Sequence, residues 1–299
     1  MIYLDNNATT RVYEDVVNAM TPYFSDIYYN PSSMYEEAKL SAAALETSRE
    51  KVAHFLGAPK ASEILFTSCA TESNSTAIRG ATLANPSRRH IITTTVEHPA
   101  VLALCEELER EGYEIDRIGV DDKGEIDMKA FVKALRPGNT LIVSTMAANN
   151  ETGVIFPIDR LSAITKATDP HILFHTDATQ AAGKMPIDLT DQWKHVDFLS
   201  FSGHKLHAPK GVGVLFMRTG AACRPFLYGG HQERGRRGGT ENIPYIVGLA
   251  KACEIAEDNL KDTDKITQLR DRLEAGLLKI PYVVINGLGA NRLPNTTNA

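Results

Sequence analysis

The sequence lacks the features of a membrane, secreted or nucleic-acid-binding protein. No apolar stretch among the 299 residues reaches the ~18 that a membrane-spanning helix needs. The N-terminus, MIYLDNNATT, has neither the basic nor the apolar segment of a secretory signal. No long basic run occurs, and 37 acidic residues against 32 basic ones give a net charge of −5. We therefore expect a cytosolic protein that binds neither nucleic acid nor a membrane.

Cysteines are few and are not arranged as metal ligands. They are scattered and lack the close pairing of a zinc site, so no metal is predicted. In a reducing compartment they would remain thiols, and most such cysteines are small buried residues. The four are Cys69, Cys105, Cys223 and Cys253. A strand followed by G-x-G-x-x-G is also missing, and Gly229–Gly239 is too basic and irregular for it, which disfavours a nucleotide-binding doubly wound domain.

What the chain does contain is an alternation of short apolar segments with amphipathic ones. Buried strands are predicted at Ile64–Ser68, His90–Val96, Thr140–Met146, His171–His175, Val196–Phe201 and Val212–Met217. Helices are predicted at Glu36–Phe55, Ala100–Glu111, Met128–Leu135, Ile158–Ala167, Glu241–Leu260 and Thr263–Leu278. Such alternation indicates an α/β fold with a largely parallel sheet, whose ligands bind beyond the carboxyl ends of the strands.

The organisation predicted is one large domain and a smaller one. The hydrophobic content of 43% is ample for a large core. Charges cluster at Asp258–Asp264, which places the large domain at residues 13–258 and the small one at 1–12 plus 259–299. Pro281–Ile285 is predicted to be a strand of the second domain. Two helices and one strand would leave apolar faces uncovered, so we expect this α/β domain to be incomplete and the chain to be the N-terminal portion of a longer protein.

The segment Ser200–Lys205 predicts a covalent cofactor site. Lys205 follows a buried strand, so it faces the ligand crevice, where partial desolvation makes a lysine nucleophilic towards carbonyls. Asp177 ends the preceding strand, and a carboxylate there could pair with the pyridine nitrogen of pyridoxal phosphate. Gln180 could bond the ring oxygen. Taken singly, Lys205 could be a surface lysine and Asp177 a helix cap, but together they favour the cofactor.

Three further strand ends carry polar residues that would complete such a site. Thr71 stands where a strand turns into a helix, a good place to hold a phosphate. His98 could stack on a flat cofactor and move protons, and Asn150 could donate to its ring oxygen. Each also has an ordinary structural explanation, as a helix cap, a structural histidine and a turn residue. Their joint occurrence at successive strand ends favours one cofactor crevice.

These residues resemble the cysteine desulfurases of the nitrogen-fixation and iron–sulfur-assembly type, which are class-V aminotransferases with the type I fold of pyridoxal-phosphate enzymes. The resemblance implies a mainly parallel sheet sandwiched by helices, with a smaller C-terminal α/β domain. It extends in order over nearly all 299 residues. The matching segments are Tyr3–Thr10, Asn30–Ser33, Phe66–Asn74, Glu97–His98, Asn149–Gly153, Asp177–Gln180, Ser200–Lys205 and Glu233–Thr240.

The resemblance implies a role for each site residue. Lys205 would carry pyridoxal 5′-phosphate as a Schiff base, and His98 would stack on its ring and move protons. Asp177 would pair with the ring nitrogen, while Asn150 and Gln180 would contact the ring substituents. The phosphate would be held by Ala70, Thr71, Ser202 and His204, and by Thr240 of a neighbouring subunit, which implies a homodimer. The implied reaction converts L-cysteine to L-alanine and passes sulfur, as an enzyme persulfide, to an iron–sulfur scaffold or another acceptor.

Two functional residues of the family have no counterpart here. The persulfide cysteine and the arginine that binds the substrate carboxylate lie, in the family, beyond the stretch that matches Arg292–Thr296. None of the four cysteines matches the former. Three alternatives therefore stay open: a selenocysteine lyase, another pyridoxal-phosphate β-elimination enzyme, or an inactive cofactor-binding form.

Overall fold

The computed structural model describes residues 2–299 as nine helices and seven strands, besides short 3₁₀ turns. The helices are α1 (Glu14–Met20), α2 (Pro22–Ser25), α3 (Ala38–Phe55), α4 (Ala70–Ala84), α5 (Pro99–Arg110), α6 (Met128–Ala134), α7 (Ile158–Thr168), α8 (Ile243–Asn259) and α9 (Thr263–Leu277). The strands are β1 (Ile64–Thr67), β2 (His90–Thr94), β3 (Glu114–Ile118), β4 (Thr140–Met146), β5 (Leu173–Asp177), β6 (Phe198–Ser202) and β7 (Gly213–Met217).

All seven strands form one sheet in the order β1-β7-β6-β5-β4-β2-β3. The pairs among β6, β5, β4, β2 and β3 are parallel, whereas β7 is antiparallel to both of its neighbours. Because β7 reverses direction between them, β1 runs the same way as β6. The carboxyl ends of six strands therefore meet at one edge, and the prediction of a largely parallel α/β sheet is confirmed.

The sheet is covered by helices on both faces because its strands are apolar on both sides. In β1, Ile64 and Phe66 join one core while Leu65 between them joins the other, as expected when successive side chains point to opposite faces. One core includes buried residues of α1, α3, α6, α7 and α8, and the other includes those of α4 and α5. Within residues 2–299, no helix is both long and apolar enough to cross a membrane.

The structure differs from the predicted elements in several details, and helices α1 and α2 were not predicted. Strand β3 was not predicted either, because three of the five residues in its sequence EIDRI are charged. It is an edge strand, and Arg117 pairs with Glu109 at 2.7 Å beside it. The prediction of a strand at Pro281–Ile285 is wrong, since the segment is a turn followed by irregular chain. Tyr282 has a left-handed φ of 69°, and Tyr282 and Val284 are exposed, so of these apolar residues only Ile285 is buried.

The last residues fold back onto the loop that follows β4. Arg292 forms a two-pronged ion pair with Glu274 of α9, with both N···O distances 2.8 Å. The amide of Leu293 donates to the carbonyl of Gly153 at 2.8 Å. These contacts bring the tail and α9 to the edge of the sheet where the strands end.

Candidate functional site

One large cavity of about 1200 Å³ lies at the carboxyl edge of the sheet. Every site residue predicted from the sequence lines it, with the exception of Thr240. The predicted residues that line it are Ala70, Thr71, His98, Asn150, Asp177, Gln180, Ser202, His204 and Lys205. The N-terminal segment, α9 and the tail also contribute to its wall.

Lys205 ends the short 3₁₀ turn, Gly203–Lys205, that follows β6. Its Nζ donates to the carbonyl oxygens of Asn7 and, at 2.9 Å, of Ala8. Burial lowers the pKa of this amine, while the negative charge of Asp177 acts in the opposite direction. A lowered pKa increases the fraction of neutral amine, which is the nucleophilic form.

Asp177 lies at the last position of β5 and is buried, with an exposed fraction of 6%. Its Oδ2 accepts from Asn74 Nδ2 at 2.7 Å and its Oδ1 from the amide of Thr179 at 2.9 Å. Both donors are uncharged, so the carboxylate is held in place without a contacting cation. The segment after it forms turns and not a helix, so Asp177 is not the helix cap that its sequence context also allowed.

A cradle for an anion is formed where β1 turns into α4. Ala70 is the first residue of this helix, and its amide donates to Ser202 Oγ at 2.9 Å, which joins the helix start to the end of β6. Free amides at such a start and the positive end of the helix dipole favour an anion. Gly213 allows the close approach, because a Cβ there would lie 2.6 Å from the carbonyl carbon of Cys69.

His204 lies beside this cradle as a neutral ring. Burial, together with the positive charges of Lys205 and Lys210, lowers the pKa of His204 to about 4. Its Nδ1 lies 3.1 Å from Thr9 Oγ1. A neutral imidazole there can donate one hydrogen bond to an anion without adding charge.

Three more of the predicted residues are held by hydrogen bonds to neighbours in the chain or to the N-terminal segment. His98 is the N-cap of α5, and its Nδ1 accepts from the amide of Ala100 at 3.1 Å, so that Nε2 carries the proton. Asn150 Nδ2 donates to Glu151 Oε1 at 2.8 Å. Gln180 Nε2 donates to the carbonyl of Asn7 at 2.9 Å.

Thr240 lies apart from the cavity. It is exposed and precedes α8. The loop before it is anchored by Glu233, whose carboxylate contacts buried Arg49 of α3 at 2.7 Å. A phosphate contact from Thr240 to a neighbouring subunit stays a prediction.

Two residues of the cavity wall were not assigned a role from the sequence. Asn7 contacts Gln180, Lys205 and Thr296, the last through its Nδ2 at 3.0 Å. Asn74 holds Asp177 from α4. Asn74 lies one turn into the helix that carries the predicted anion cradle, a spacing that could have suggested it, whereas nothing local marks the long-range contacts of Asn7.

Cys105 and Cys253 are buried, whereas Cys69 and Cys223 are partly exposed. Desolvation raises the pKa of Cys105 and of Cys223 to about 12, and it also raises the pKa of Cys253. Cys69 lies at the cavity wall and occupies the N-cap position of α4 without a side-chain capping bond.

Comparisons with known proteins agree with this geometry. The class-V aminotransferase family matches residues 2–299. Cysteine desulfurase 2 of Trichormus variabilis is 51% identical over 299 residues, which are 100% of this chain and 74% of that protein. A solved NifS-like protein superposes with a TM-score of 0.94 at 41% identity, covering 98% of this chain and 80% of that one. A structure described as SspA in complex with cysteine superposes with a TM-score of 0.80 at 38% identity, covering 85% of this chain and 72% of that one. The chain belongs to the class-V aminotransferase family and, within it, to the cysteine desulfurases.

Proposed function

We propose that the protein is a pyridoxal-phosphate-dependent cysteine desulfurase that releases sulfur from L-cysteine and leaves L-alanine. The observation that carries this proposal is the placement of Lys205 and Asp177 at adjacent strand ends of one cavity, opposite the start of α4. Family membership supports it, as does the similarity to a protein solved with cysteine.

The residues of the cavity fit pyridoxal phosphate. The buried carboxylate of Asp177 has only uncharged contacting donors, so a protonated ring nitrogen would balance its charge. Thr71, Ser202 and neutral His204 offer donors for a phosphate, and the bond from the Ala70 amide to Ser202 Oγ holds the Ser202 hydroxyl at the helix start. The bound cofactor supplies an aldehyde that joins amines and a protonated ring that withdraws electrons.

The protein's own groups then have distinct tasks. Lys205 would hold the cofactor covalently and, once released, would accept the proton from the α-carbon of the substrate. His98 would carry protons at Nε2. Asn150 and Gln180 would orient the cofactor through its ring substituents, and Asp177 would keep its ring nitrogen protonated.

None of the four cysteines is proposed as the sulfur acceptor. A thiolate is the attacking form of cysteine, and the raised pKa values of Cys105, Cys223 and Cys253 oppose its formation. Cys69 is fixed at the start of α4, within the proposed phosphate cradle. We propose that a thiol other than these four takes the sulfur.

Four further features are proposals that follow from the family: a homodimer, an iron–sulfur scaffold as sulfur acceptor, a cytosolic location, and a phosphate contact by Thr240 across the dimer. The exposure of Thr240 supports the last. We also propose the division into residues 13–258 and 1–12 plus 259–299. The hydrogen bond between Asn7 and Thr296 supports the joining of the two ends in one unit.

Borohydride trapping tests the cofactor assignment. The purified protein, reduced and digested, should yield a peptide that carries the phosphopyridoxyl group on Lys205. Lys205→Ala should abolish this adduct and the formation of alanine from cysteine, whereas Lys210→Ala, at an exposed lysine nearby, should retain the adduct. An adduct that persists on another lysine in Lys205→Ala would contradict the assignment. Parallel assays with selenocysteine would separate a selenocysteine lyase.

A further inference from the structure

A second lysine lies beside the cavity and binds two of the residues that line it. Lys184 Nζ donates to Gln180 Oε1 at 2.7 Å and to Asn7 Oδ1 at 3.4 Å. Lys205 contacts the main-chain carbonyl of the same Asn7. One amine therefore contacts the side chain of Asn7 and the other contacts its main chain. Both partners of Lys184 are neutral amide oxygens.

The contact with Lys184 fixes the oxygen end of the Gln180 carboxamide. A lysine amine in its charged form only donates hydrogen bonds, so it selects the oxygen of the amide. The NH₂ group then points the other way, and it donates to the carbonyl of Asn7 at 2.9 Å beside Lys205. The Asn7 carbonyl favours the same orientation, so without Lys184 the oxygen end would lose its donor and the carboxamide would be held at its NH₂ end alone.

The position of Lys184 is fixed by a tight turn. Gly183 adopts a left-handed φ of 76°, and a Cβ there would lie 3.0 Å from Cβ of Ala256 in α8. The amide of Lys184 also donates to the carbonyl of Ala181 at 3.0 Å. The turn is therefore packed against α8, and the lysine projects from it towards Gln180.

Two basic groups face Lys184, and the acidic groups of the site lie nearer Lys205. Burial, and then the charge of Lys205, lowers the pKa of Lys184 to about 7. Burial lowers the pKa of His207, and the positive charge of Lys184 also lowers it. The carboxylates of Asp177, Asp5 and Glu151 act on Lys205. A buried amine without a contacting carboxylate is costly for the fold, which points to a role in the site.

We propose that Lys184 is a positioning residue that locks the Gln180 carboxamide with its NH₂ group towards the ring oxygen of the bound cofactor. The inference rests on the proposed pyridoxal-phosphate site. Lys184 acts only through Gln180, so removing either group should have the same consequence for the cofactor.

A double-mutant cycle on cofactor binding tests this role. Pyridoxal phosphate is titrated into the cofactor-free forms of wild type, Lys184→Met, Gln180→Ala and the double variant, and the visible absorbance band and its pH midpoint are recorded. Lys184→Met should weaken binding about tenfold, the scale of one lost hydrogen bond. Gln180→Ala should weaken it similarly, and the double variant should be no weaker than Gln180→Ala.

Three controls keep the test decisive. Lys184→Arg retains a donor and should bind within about twofold of wild type. Lys194→Met, at an exposed lysine on the same β5–β6 connection, should bind as wild type does. Gln180→Glu keeps a partner for Lys184 but offers no donor to the cavity, so it should bind as Gln180→Ala does even if Lys184→Met does not fold.

The inference is overturned if Lys184→Met binds the cofactor normally. It is equally overturned if Lys184→Met shifts affinity or pH midpoint as much in the Gln180→Ala background as in wild type, because Lys184 would then act by its charge. Wild-type binding by Gln180→Glu would also contradict it. Failure of the wild type itself to develop the absorbance band would instead refute the proposed cofactor site.

Discussion

Glu97 should make the stability of this protein fall as the pH rises. The side chain is 4% exposed and lies between the ends of β2 and β4. Its Oε1 accepts from Thr94 Oγ1 and from the amide of Met146, both at 2.8 Å, while Oε2 is buried without a hydrogen-bond partner. Burial raises the pKa of Glu97 from the ordinary 4.5 to about 8, against the lowering effect of these two donors.

The sign and size of the effect follow from proton linkage. Between the unfolded pKa of 4.5 and the folded pKa of about 8, the folded state binds more protons than the unfolded state. The contribution of Glu97 is complete below pH 4.5 and is lost as the pH rises to about 8. At ~1.4 kcal/mol per unit, the 3.5-unit difference between these values amounts to about 5 kcal/mol.

Glu97→Gln isolates this effect because glutamine keeps the accepting oxygen but does not titrate. We would measure the free energy of unfolding in urea for both proteins from about pH 5 to about pH 9. The stability of wild type relative to Glu97→Gln should fall across that range, while titrations elsewhere cancel in the difference. A pH-independent difference would refute the assignment of a protonated Glu97.

Two further predictions concern other buried groups. Arg49→Met should lower the free energy of unfolding by about 3–5 kcal/mol, because it leaves Glu233 buried without its partner, and adding Glu233→Met should recover part of the loss in urea unfolding. No recovery in the double variant would contradict this. Iodoacetamide at about pH 8 should spare Cys105, which is buried and whose thiol has a raised pKa, but label the partly exposed Cys69, as peptide mapping would show. Equal labelling of both in the folded protein would be inconsistent with the burial of Cys105.

The central strands could be predicted because their local sequence alone indicates a buried strand. Strand β4 reads Thr140–Met146 both as predicted and in the structure, since buried strands in a parallel sheet are continuous apolar runs. Edge strand β3 escaped prediction because only Ile115 and Ile118 of its five residues are apolar. Pro281–Ile285 was wrongly predicted as a strand because apolar composition alone does not supply a strand partner.

The residues of the site also differ in whether the local sequence could reveal their roles. Asp177 and Lys205 could be predicted because Asp177 ends β5 and Lys205 lies one short turn after β6, and strand direction alone brings both to one edge. Asn7, Lys184 and Glu97 could not be given roles in this way. The contacts of Asn7 with Gln180 and Lys205 join residues 173 and 198 positions apart, a pairing that periodicity does not encode.

The antiparallel strand β7 explains how the anion cradle and the lysine come together. Gly213 of β7 pairs with Thr67 of β1 on one side and with Ser202 of β6 on the other. The reversal of β7 makes β1 and β6 end at the same edge, so the start of α4 reaches Ser202 just before Lys205. A side chain at position 213 would enter the turn at Cys69, which carries the first amides of α4. The same glycine thus joins the sheet and shapes the cradle, so an anion held there would be positioned relative to the lysine by the hydrogen-bonded strands β1, β7 and β6.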